Sequence, residues 1–407
     1  MSAVTPTTVS RRPAALAGLP LLEDLPDVDG RRVLVRVDFN VPLDDDGAGH
    51  RSVADDYRIV SALPTLRWLV ERGAAVTACS HLGRPGGAPD PRWAMAPVRE
   101  HLEALLPGIR VLENLRFFPG ETGNDAAFVD ELVDGQDLYV NDAFSASHRA
   151  HASIVGPPAR LPSAGGRQLA REVEVLGGLL GAPARPFVAV VGGAKVSDKL
   201  GVLQALAGKV DALAIGGAMA FTFLLAQGHD VGASLVDPEH VEDCRRLLEA
   251  GAELLLPSDV VALSPDGACG PAVAEDDAGT TKVVGVDVPA GWRGLDIGPQ
   301  TAARFADALG GAATVLWNGP LGVVEDERFA DGTRRVAMAV AACAGFTVVG
   351  GGDSVSALHH LGLADEVDFL STGGGASLEL IEKGDLPGLA ALRAASNAPA
   401  PADGQPD

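Results

Sequence analysis

Residues 187–199 read FVAVVGGAKVSDK, and this stretch decides the fold. Its first five residues form a continuous apolar run, which is typical of a strand covered on both faces. Two glycines follow, and Ser197 is a natural N-cap for a helix that we expect to continue to about Gly208. A buried strand, a glycine turn and a helix in that order form the repeating unit of a parallel α/β sheet.

The same alternation of apolar runs and helical patterns extends through the whole chain. Helices are predicted over 57–72 and 168–180, and the predicted strands are 33–37, 75–79, 109–112, 138–140, 187–191, 212–215, 260–263, 314–317, 347–349 and 367–370. With 407 residues, two domains are expected. We therefore predict an α/β fold with two lobes, each a parallel-sheet, three-layer (Rossmann-like) α/β domain, joined by a helix and a hinge.

The two halves differ in the residues that end their strands. Up to about residue 155 the strands end in Asp, Asn, Arg and His, whereas from about residue 185 they end in glycine. Because ligands of open α/β sheets bind beyond the carboxyl ends of the strands, two kinds of strand end imply two ligands. The glycine ends suit a nucleotide, since backbone N–H groups can approach its phosphates there.

Cations cluster at the strand ends of the first half, although the chain has a formal net charge of -22. The residues concerned are Arg36, Arg58, Arg84, Arg116 and Arg149, with His81 and His148 or His151 in the same segments. If the strands are parallel neighbours, these guanidinium groups converge. Converging arginines predict a site for a small molecule with several negative charges, because each fork can hold a carboxylate or phosphate.

Two of the five lysines of the chain, Lys195 and Lys199, fall four residues apart at one strand-to-helix turn. Spacing of four would place them on one helical face. Two solvated surface lysines are the alternative, but it is the weaker one in a chain that otherwise uses arginine. An ammonium group suits the role of a point charge beside a moving phosphoryl group.

Four polar residues have both an ordinary and a functional interpretation. Asp353 could be an N-cap, or it could hold Mg²⁺ beside nucleotide phosphates, and Ser354 could cap or donate to a phosphate. Asp38 and Asn40 could be turn residues, or they could accept hydrogen bonds from substrate hydroxyls. The neighbouring lysine pair favours the functional interpretation of Asp353.

Composition excludes several functions. The acidic balance argues against nucleic acid or an anionic membrane as a partner. There is no G-x-x-x-x-G-K-[ST] or G-x-G-x-x-G motif, no zinc-ligand pattern and no apolar run long enough for a membrane span. The four cysteines show no paired spacing, which favours a reducing compartment and a cytoplasmic location.

Ten ordered motifs between residues 19 and 392 closely resemble the phosphoglycerate kinase family. They are RVDFNVP, SHLGRP, LENLRF, NDAF with HRAHAS, VVGGAKVSDKL, AIGGAMAFTFL, LDIGP, LWNGPLGVVE, GGGDS and STGGGASLELIEKGDLPG. The resemblance implies a kinase with a carboxyl group as acceptor. Its substrates would be 1,3-bisphosphoglycerate and ADP in one direction, and 3-phosphoglycerate and ATP in the other. Mg²⁺ would be bound with the nucleotide, and the protein would be a monomer.

The resemblance also assigns the domains. It implies a glycerate-binding domain at 19–182 and a nucleotide-binding domain at 183–384, while composition predicts a flexible lead at 1–18 and a disordered tail at 394–407. The segment 385–393 is expected to return to the first domain. Two ligands on separate lobes imply that closure accompanies turnover.

The same resemblance implies the roles of individual residues. Arg36 and Lys195 correspond to the catalytic pair. The implied glycerate contacts are Asp38, Phe39, Asn40, Arg58, His81, Leu82, Gly83, Arg84, Arg116 and Arg149. The implied nucleotide contacts are Lys199, Gly217, Asn318, Glu325, Gly350, Gly351, Gly352, Asp353 and Ser354, with Asp353 also on the metal. Gly373, Gly374 and Gly375 resemble a glycine turn near the hinge.

The chain departs from the family pattern at four places, of which Ser354, where threonine is common, is a mild change. A strand-and-helix unit of some twenty residues is missing after Pro107, so the first sheet is expected to be smaller or re-edged. Ser145 stands where glycine is usual, which requires a negative φ or a shifted loop. Phe221 replaces a more usual polar residue. These departures leave two alternatives open: a paralogue acting on another acyl phosphate, and a non-catalytic regulatory protein on the same fold.

Overall fold

A computed structural model describes residues 13–47, 51–249, 251 and 253–396. Its strands are β1 (Arg32–Arg36), β2 (Leu43–Asp45), β3 (Arg51–Val53), β4 (Ala75–Cys79), β5 (Arg110–Val111), β6 (Leu138–Asn141), β7 (Ser163–Gly165), β8 (Phe187–Val191), β9 (Ala212–Ile215), β10 (Glu253–Leu255), β11 (Asp259–Leu263), β12 (Thr281–Gly285), β13 (Arg293–Ile297), β14 (Thr314–Asn318), β15 (Phe346–Gly350) and β16 (Phe369–Leu370). Its α-helices are α1 (Tyr57–Val70), α2 (Ala96–Leu105), α3 (Pro119–Gly123), α4 (Ala126–Val133), α5 (Ala152–Val155), α6 (Arg167–Gly181), α7 (Leu200–Ala207), α8 (Met219–Ala226), α9 (Val241–Leu248), α10 (Pro299–Gly310), α11 (Asp331–Ala341), α12 (Gly352–Leu361), α13 (Gly375–Lys383) and α14 (Pro387–Ser396). Along this part of the chain, no helix is both long and apolar enough to cross a membrane.

The chain divides into two compact units. The first contains the residues up to Gly178 together with those from Asp385 onward, and the second contains Leu179–Gly384. The division falls inside helix α6, a few residues before the predicted boundary at 182. Because the helix continues on both sides of the division, no linker composition marks it in the sequence.

The first unit is built on a sheet of five parallel strands in the order β5-β4-β1-β6-β7. Along the central strand β1, Val33 and Val35 join a core that also contains residues of α1 and α2. Leu34 points to the opposite face and is fully buried there as well. Both faces of the strand are therefore covered, as its continuous apolar run predicts.

The edge of this sheet lies where the sequence lacks a strand-and-helix unit. Strand β5 is only two residues long, pairs with β4 and ends the sheet. It replaces the longer strand predicted over 109–112.

The C-terminal helix α14 packs on the first unit. The Gly388 N–H donates to the Ser147 carbonyl at 2.8 Å. A Cβ at Gly388 would lie 2.8 Å from Ile154 and 2.9 Å from Ser147, so glycine is required by close packing. The helix extends to Ser396, into the segment that we predicted to be a disordered tail from 394, and residues 397–407 lie outside the described part.

The predicted N-terminal lead lies partly outside the described residues, since 1–12 are not among them. Within 13–18, residues Ala14–Leu16 form a 3-10 turn and the Leu16 side chain is buried. This part of the predicted lead is therefore packed and is not a free extension.

The second unit is built on a sheet of six parallel strands in the order β10-β9-β8-β14-β15-β16. Trp317 on β14 and Phe305 on α10 are fully buried in its core. A separate three-stranded sheet, β12-β11-β13, is antiparallel, so the prediction of a parallel strand over 260–263 was wrong. Antiparallel strands need no helical crossover, and a hydrophobic run alone does not show which partner it will pair with.

Two helix starts also differ from the predictions. Helix α7 begins at Leu200 with Lys199 at its N-cap, because residues 197–199 form a turn and the Ser197 N–H donates to Asp237 Oδ2 at 3.1 Å. Lys195 therefore precedes the helix, and the two lysines do not share a helical face. Helix α12 begins at Gly352, so Asp353 lies in its first turn and is not the N-cap.

Candidate active site

Polar residues converge at the carboxyl edge of the first sheet. Arg36 is the last residue of β1 and pairs in register with Cys79 at the end of β4 and with Asn141 at the end of β6. Asp38 follows β1 and His81 follows β4 within two residues. The topology thus brings these strand ends side by side, as expected for a ligand site of an α/β sheet.

Arg36 has its guanidinium group held on three sides. Its side chain is 1% exposed, Nε donates to Ser153 Oγ at 3.0 Å, and Nη2 lies 3.1 Å from His81 Nδ1. Nη1 donates to the carbonyl of Val37. A guanidinium that is fixed in this way presents its charge in one orientation, which favours recognition of an anionic group at a defined position.

His81 is neutral at physiological pH. Burial and the nearby Arg36 charge lower its pKa to about 3, and the Asp38 carboxylate opposes this only in part. A neutral imidazole can accept a hydrogen bond at one ring nitrogen, so Nδ1 accepts from Arg36. His81 therefore orients the arginine without adding a competing positive charge.

Asp38 is a buried carboxylate that is held ionised by its neighbours. Burial alone would raise its pKa, but Arg58 and His81 and hydrogen bonds from Ser145 and Asn40 bring the pKa below its ordinary value. Arg58 forms an ion pair with it, and the Asn40 N–H donates to Oδ1 at 3.1 Å. The position is suited to accept a hydrogen bond from a ligand hydroxyl.

Ser145 fits without strain at the position where the family resemblance implied glycine. It lies in a 3-10 turn, Phe144–Ala146, and Asn124 is the single non-glycine residue with positive φ in the described ranges. Its hydroxyl donates to the Asp38 carboxylate. The first of the two expected outcomes, a negative φ, is therefore the one observed, and the serine adds a contact to the predicted glycerate site.

Three further arginines lie near Arg36. Arg116 donates through Nη1 to the Gly83 carbonyl at 2.7 Å. Burial lowers the pKa of Arg116, and the charges of Arg149, Arg36 and Arg84 lower it further, which places these three cations within electrostatic reach of Arg116. Arg84 and Arg149 are exposed, whereas Arg36 is buried. The arginines around Arg116 thus have a buried part and a solvent-facing part.

Two of the predicted glycerate residues have their side chains in the core. Phe39 and Leu82 are fully buried and belong to the hydrophobic cluster behind the sheet edge. Backbone groups of this segment are used instead, since the Phe39 N–H donates to Ser80 Oγ at 2.9 Å and the Gly83 N–H donates to Asn40 Oδ1 at 2.8 Å. These bonds hold the loops in which the polar side chains lie.

The second unit presents a lysine at the carboxyl edge of its sheet. Lys199 Nζ donates to the Gly192 carbonyl at 2.5 Å and to Asn318 Oδ1 at 2.8 Å. Burial lowers the pKa of Lys199 to about 8, and the charges of Asp353 and Asp198 limit the decrease. The ammonium group thus lies where the ends of β8 and β14 meet.

Glycines near Lys199 lie at positions that have no room for a side chain. A Cβ at Gly192 would lie 2.0 Å from the Pro320 carbonyl oxygen, so no other residue fits there. Gly217 has φ of 69° and a Cβ on it would lie 2.5 Å from the Gly193 carbonyl oxygen. Such close backbone approach is what a loop that surrounds phosphate groups requires.

The remaining predicted nucleotide residues follow β14 and β15. Ser354 is buried and its Oγ accepts from the Gly319 N–H at 2.7 Å, whereas Asp353 is exposed in the first turn of α12. Gly351, with φ of 91°, is the N-cap of that helix. Lys195 is exposed and forms no hydrogen bond or ion pair within the described ranges. Glu325 and Asp353 line one cavity of about 520 Å³.

The arrangement of carboxylates suits a metal ion that binds together with a ligand, and not a metal site formed by protein side chains alone. In the part of the chain with coordinates, no group of three or more His, Cys, Asp or Glu side chains is placed to hold a metal ion. Asp353 and Asp198 are exposed carboxylates within electrostatic reach of Lys199. Mg²⁺ that binds with nucleotide phosphates takes only one or two protein carboxylates, so this arrangement is compatible with such a metal.

Sequence reasoning missed two buried residues behind Arg36. Glu121 on α3 and Ser153 on α5 are fully buried, and Glu121 Oε1 accepts from Ser153 Oγ at 2.7 Å. Neither residue stands at a strand end. A single Glu after Pro-Gly and a Ser within an Ala-rich segment carry no pattern that would have marked them.

Comparisons with known proteins agree on one family. The family model described as phosphoglycerate kinase matches residues 22–111 and 107–384. A phosphoglycerate kinase from Rubrobacter xylanophilus is 50% identical over 390 residues, covering 90% of this chain and 96% of the relative. One from Salinispora tropica is 51% identical over 403 residues, covering 91% and 98%.

Solved structures show the same relationship. The phosphoglycerate kinase of Coxiella burnetii superposes with a TM-score of 0.80 at 36% identity, covering 92% of this chain and 98% of that one. That of Pyrococcus horikoshii gives 0.77 at 28% identity, covering 93% and 99%. The two stretches matched by the family model meet at 107–111, which is where the sequence lacks the strand-and-helix unit.

Proposed function

This chain belongs to the phosphoglycerate kinase family of phosphotransferases, and from that membership we propose how its residues carry out the reaction. The proposed reaction is the reversible transfer of a phosphoryl group between 1,3-bisphosphoglycerate and ADP, which gives 3-phosphoglycerate and ATP. The first unit would bind the glycerate and the second the nucleotide. The observation that carries the proposal is the convergence of Arg36, Asp38, Arg58, His81 and Arg116 at one sheet edge.

The glycerate would bind by charge and hydrogen bonding. Arg116 and the exposed Arg84 and Arg149 form a cationic rim that suits a phosphate group. Asp38, which is ionised and buried, would accept a hydrogen bond from the hydroxyl of the ligand. Arg36 would then face the carboxyl end, where the phosphoryl group is transferred.

No general base is needed for this chemistry. The acceptor is a carboxylate that is already ionised at pH 7, so one of its oxygens attacks the terminal phosphorus while the bond to the ADP oxygen breaks. The work of the protein is positioning and the stabilisation of charge on the transferring group. Arg36 would supply positive charge to that group, and Lys195 would do the same.

The nucleotide would bind at the glycine-rich strand ends of the second unit. Lys199 and the first turn of α12 would contact phosphates, Asn318 would hold Lys199 in place, and Glu325, which lines the same cavity as Asp353, would contact the nucleotide. Asp353 would hold Mg²⁺, which neutralises phosphate charge when it is bound. The exposed Lys195 would remain able to follow the phosphoryl group.

We also propose a cytoplasmic monomer. All four cysteines are free, which suits a reducing compartment. The high net negative charge of the chain makes its copies repel one another, which favours a monomer.

The test is a coupled assay of the purified protein with 3-phosphoglycerate and Mg·ATP. Product would be read as NADH oxidation through glyceraldehyde-3-phosphate dehydrogenase. Robust turnover that Lys195→Ala loses supports the proposed reaction and the role of the lysine. Absence of turnover with Mg·ADP still bound would overturn the proposed substrate and favour another acyl phosphate.

Lys199 is expected to impose an alkaline limb on the pH profile. Its pKa is lowered to about 8, so the ammonium is charged below that pH and becomes neutral above it. Because phosphate binding needs the cation, kcat/KM for Mg·ATP should fall as pH rises through about 8 in the free enzyme. Profiles are to be measured from pH 6 to about 10 with the coupling enzyme in excess.

Lys199→Arg is the matching variant for this pH measurement. Arginine stays charged across the range, so its profile should be lower overall but should lack the limb near pH 8. A limb that persists unchanged in Lys199→Arg would show that another group titrates there.

Asp353→Asn is expected to raise the KM for Mg·ATP about 10-fold or more, since a charge-assisted contact is lost. The Mg²⁺ concentration needed for half-maximal activity should rise with it, while the KM for 3-phosphoglycerate stays unchanged. Asp365→Asn, an exposed carboxylate in the turn after α12, serves as the control and should behave like the unmodified protein. An unchanged Mg²⁺ dependence in Asp353→Asn would contradict the metal assignment.

A further inference from the structure

A buried carboxylate lies behind the arginines of the first unit. Glu121 is 0% exposed, its Oε1 accepts from Ser153 Oγ at 2.7 Å, and its Oε2 accepts from the Ser153 backbone N–H at 2.9 Å. A carboxylate that is removed from water is costly unless it is hydrogen-bonded and paired with a positive charge. The buried carboxylate of Glu121 therefore needs a positively charged partner.

The cationic partner is reached through the serine hydroxyl. Ser153 Oγ accepts from Arg36 Nε at 3.0 Å and donates its own hydrogen to Glu121. An arginine can only donate and an ionised carboxylate can only accept, so the direction of both bonds is fixed. Each bond polarises the other in this chain, which strengthens the link between the carboxylate and the guanidinium.

Two carboxylates divide the cations of the site between them. Asp38 forms an ion pair with Arg58. Burial lowers the pKa of Arg116, and the charge of Glu121 opposes that lowering; the imidazole of His151 also packs there, with Nδ1 3.7 Å from Glu121 Oε1. Glu121 is thus placed to balance Arg116 and, through Ser153, Arg36, whereas Asp38 balances Arg58.

We propose that Glu121 is a positioning residue for Arg36. Through Ser153 it holds the Nε edge of the guanidinium, while His81 and the Val37 carbonyl hold the other two nitrogens. Without the negative charge the Ser153 hydroxyl is free to rotate, and the orientation of Arg36 toward the transferring group is lost. The inference rests on the role of Arg36 under the proposed function.

A purely structural role for Glu121 gives a different outcome. As a cap it would only satisfy the backbone N–H of Ser153 at the start of α5. Glu121→Gln keeps an oxygen that can accept this bond but removes the charge. A purely capping role would therefore leave the kcat of the folded Glu121→Gln enzyme unaltered, whereas the positioning role lowers kcat.

The experiment compares Glu121→Gln, Ser153→Ala and the double variant in the coupled assay, with thermal unfolding measured in parallel. Each single variant should lower kcat about 10-fold or more, with the KM for Mg·ATP within about twofold of the unmodified value. The double variant should be no slower than the slower single variant, because both changes break one chain of bonds.

Glu113→Gln is the matched control. Glu113 Oε1 also accepts backbone N–H bonds, from Met95 at 2.8 Å and from Asn114 at 2.9 Å, but no arginine of the site depends on it through a hydroxyl. Its kcat should match that of the unmodified protein. A loss in this control equal to that of Glu121→Gln would show that any lost backbone acceptor slows the enzyme, and would overturn the inference.

Other outcomes are equally decisive. Normal kcat in folded Glu121→Gln, or effects of the two single changes that multiply in the double variant, overturns the inference. If Glu121→Gln does not fold, Ser153→Ala carries the test, and normal kcat there overturns it. Arg36→Lys in the same assay separates the two proposals. A normal kcat in Arg36→Lys refutes the role of Arg36. A reduced kcat in Arg36→Lys together with a normal kcat in Glu121→Gln refutes only the further inference.

Discussion

Lys195→Ala is expected to lower kcat about 100-fold or more while the protein folds normally. The side chain is exposed and forms no hydrogen bond or ion pair in the described part of the chain, so its removal leaves no buried group unsatisfied. Its free ammonium group is suited to accompany the phosphoryl group as a point charge. Coupled kinetics and thermal unfolding, measured on the same preparation, check both parts of the expectation.

Lys282→Ala provides the comparison for Lys195→Ala. Lys282 lies on β12 with its ammonium 3.8 Å from the centre of the Trp292 ring, and it belongs to the antiparallel sheet. Its replacement should leave kcat unchanged. Near-normal turnover in Lys195→Ala would refute the assigned role of the lysine, whatever the control shows.

Arg36→Ala is expected to lower kcat to a similar extent, about 100-fold or more, and to lower stability as well. The stability effect differs from that of Lys195→Ala because Arg36 is buried, and its loss leaves Ser153 Oγ without its donor and His81 Nδ1 without its hydrogen-bond partner. Arg36→Lys keeps the charge but cannot reproduce the three directions of the guanidinium fork, so it should also be slow. Steady-state kinetics and unfolding curves of both variants test this.

Arg32→Ala is the control from the other end of the same strand. Arg32 is exposed and forms an ion pair with Asp137, with Nη2 2.9 Å from Oδ1. An exposed pair of this kind contributes little to stability, and its removal should leave activity normal. Normal kcat in Arg36→Ala would remove the basis of the proposed transfer step.

Most of the parallel strands could be predicted because a continuous apolar run in the local sequence marks each of them. The runs at 75–79, 187–191 and 212–215 coincide with β4, β8 and β9. The short strands β2, β3 and β7 and the antiparallel neighbours of β11 were missed. Three-residue strands carry little periodicity, and the partner of a strand depends on where the chain returns.

The candidate site was predictable to the extent that its residues stand at strand ends. Arg36, His81 and Asp38 follow β1 and β4, and parallel strands place their ends at one edge whatever the detailed packing. The starts of α7 at Leu200 and of α12 at Gly352 were less predictable. A turn held by a side chain from another segment, as Asp237 holds Ser197, overrides the local capping preference.

The α/β alternation, the two kinds of strand end and the placement of cations at strand ends could be read from the amino-acid sequence, since each depends on residues within one turn or strand. Only the tertiary structure decided how the cations are held. Ser153 lies 117 positions from Arg36 and 32 from Glu121, yet it bonds to both. Contacts over such separations form because a buried charge must find its partners wherever the folded chain brings them, and no local pattern encodes that choice.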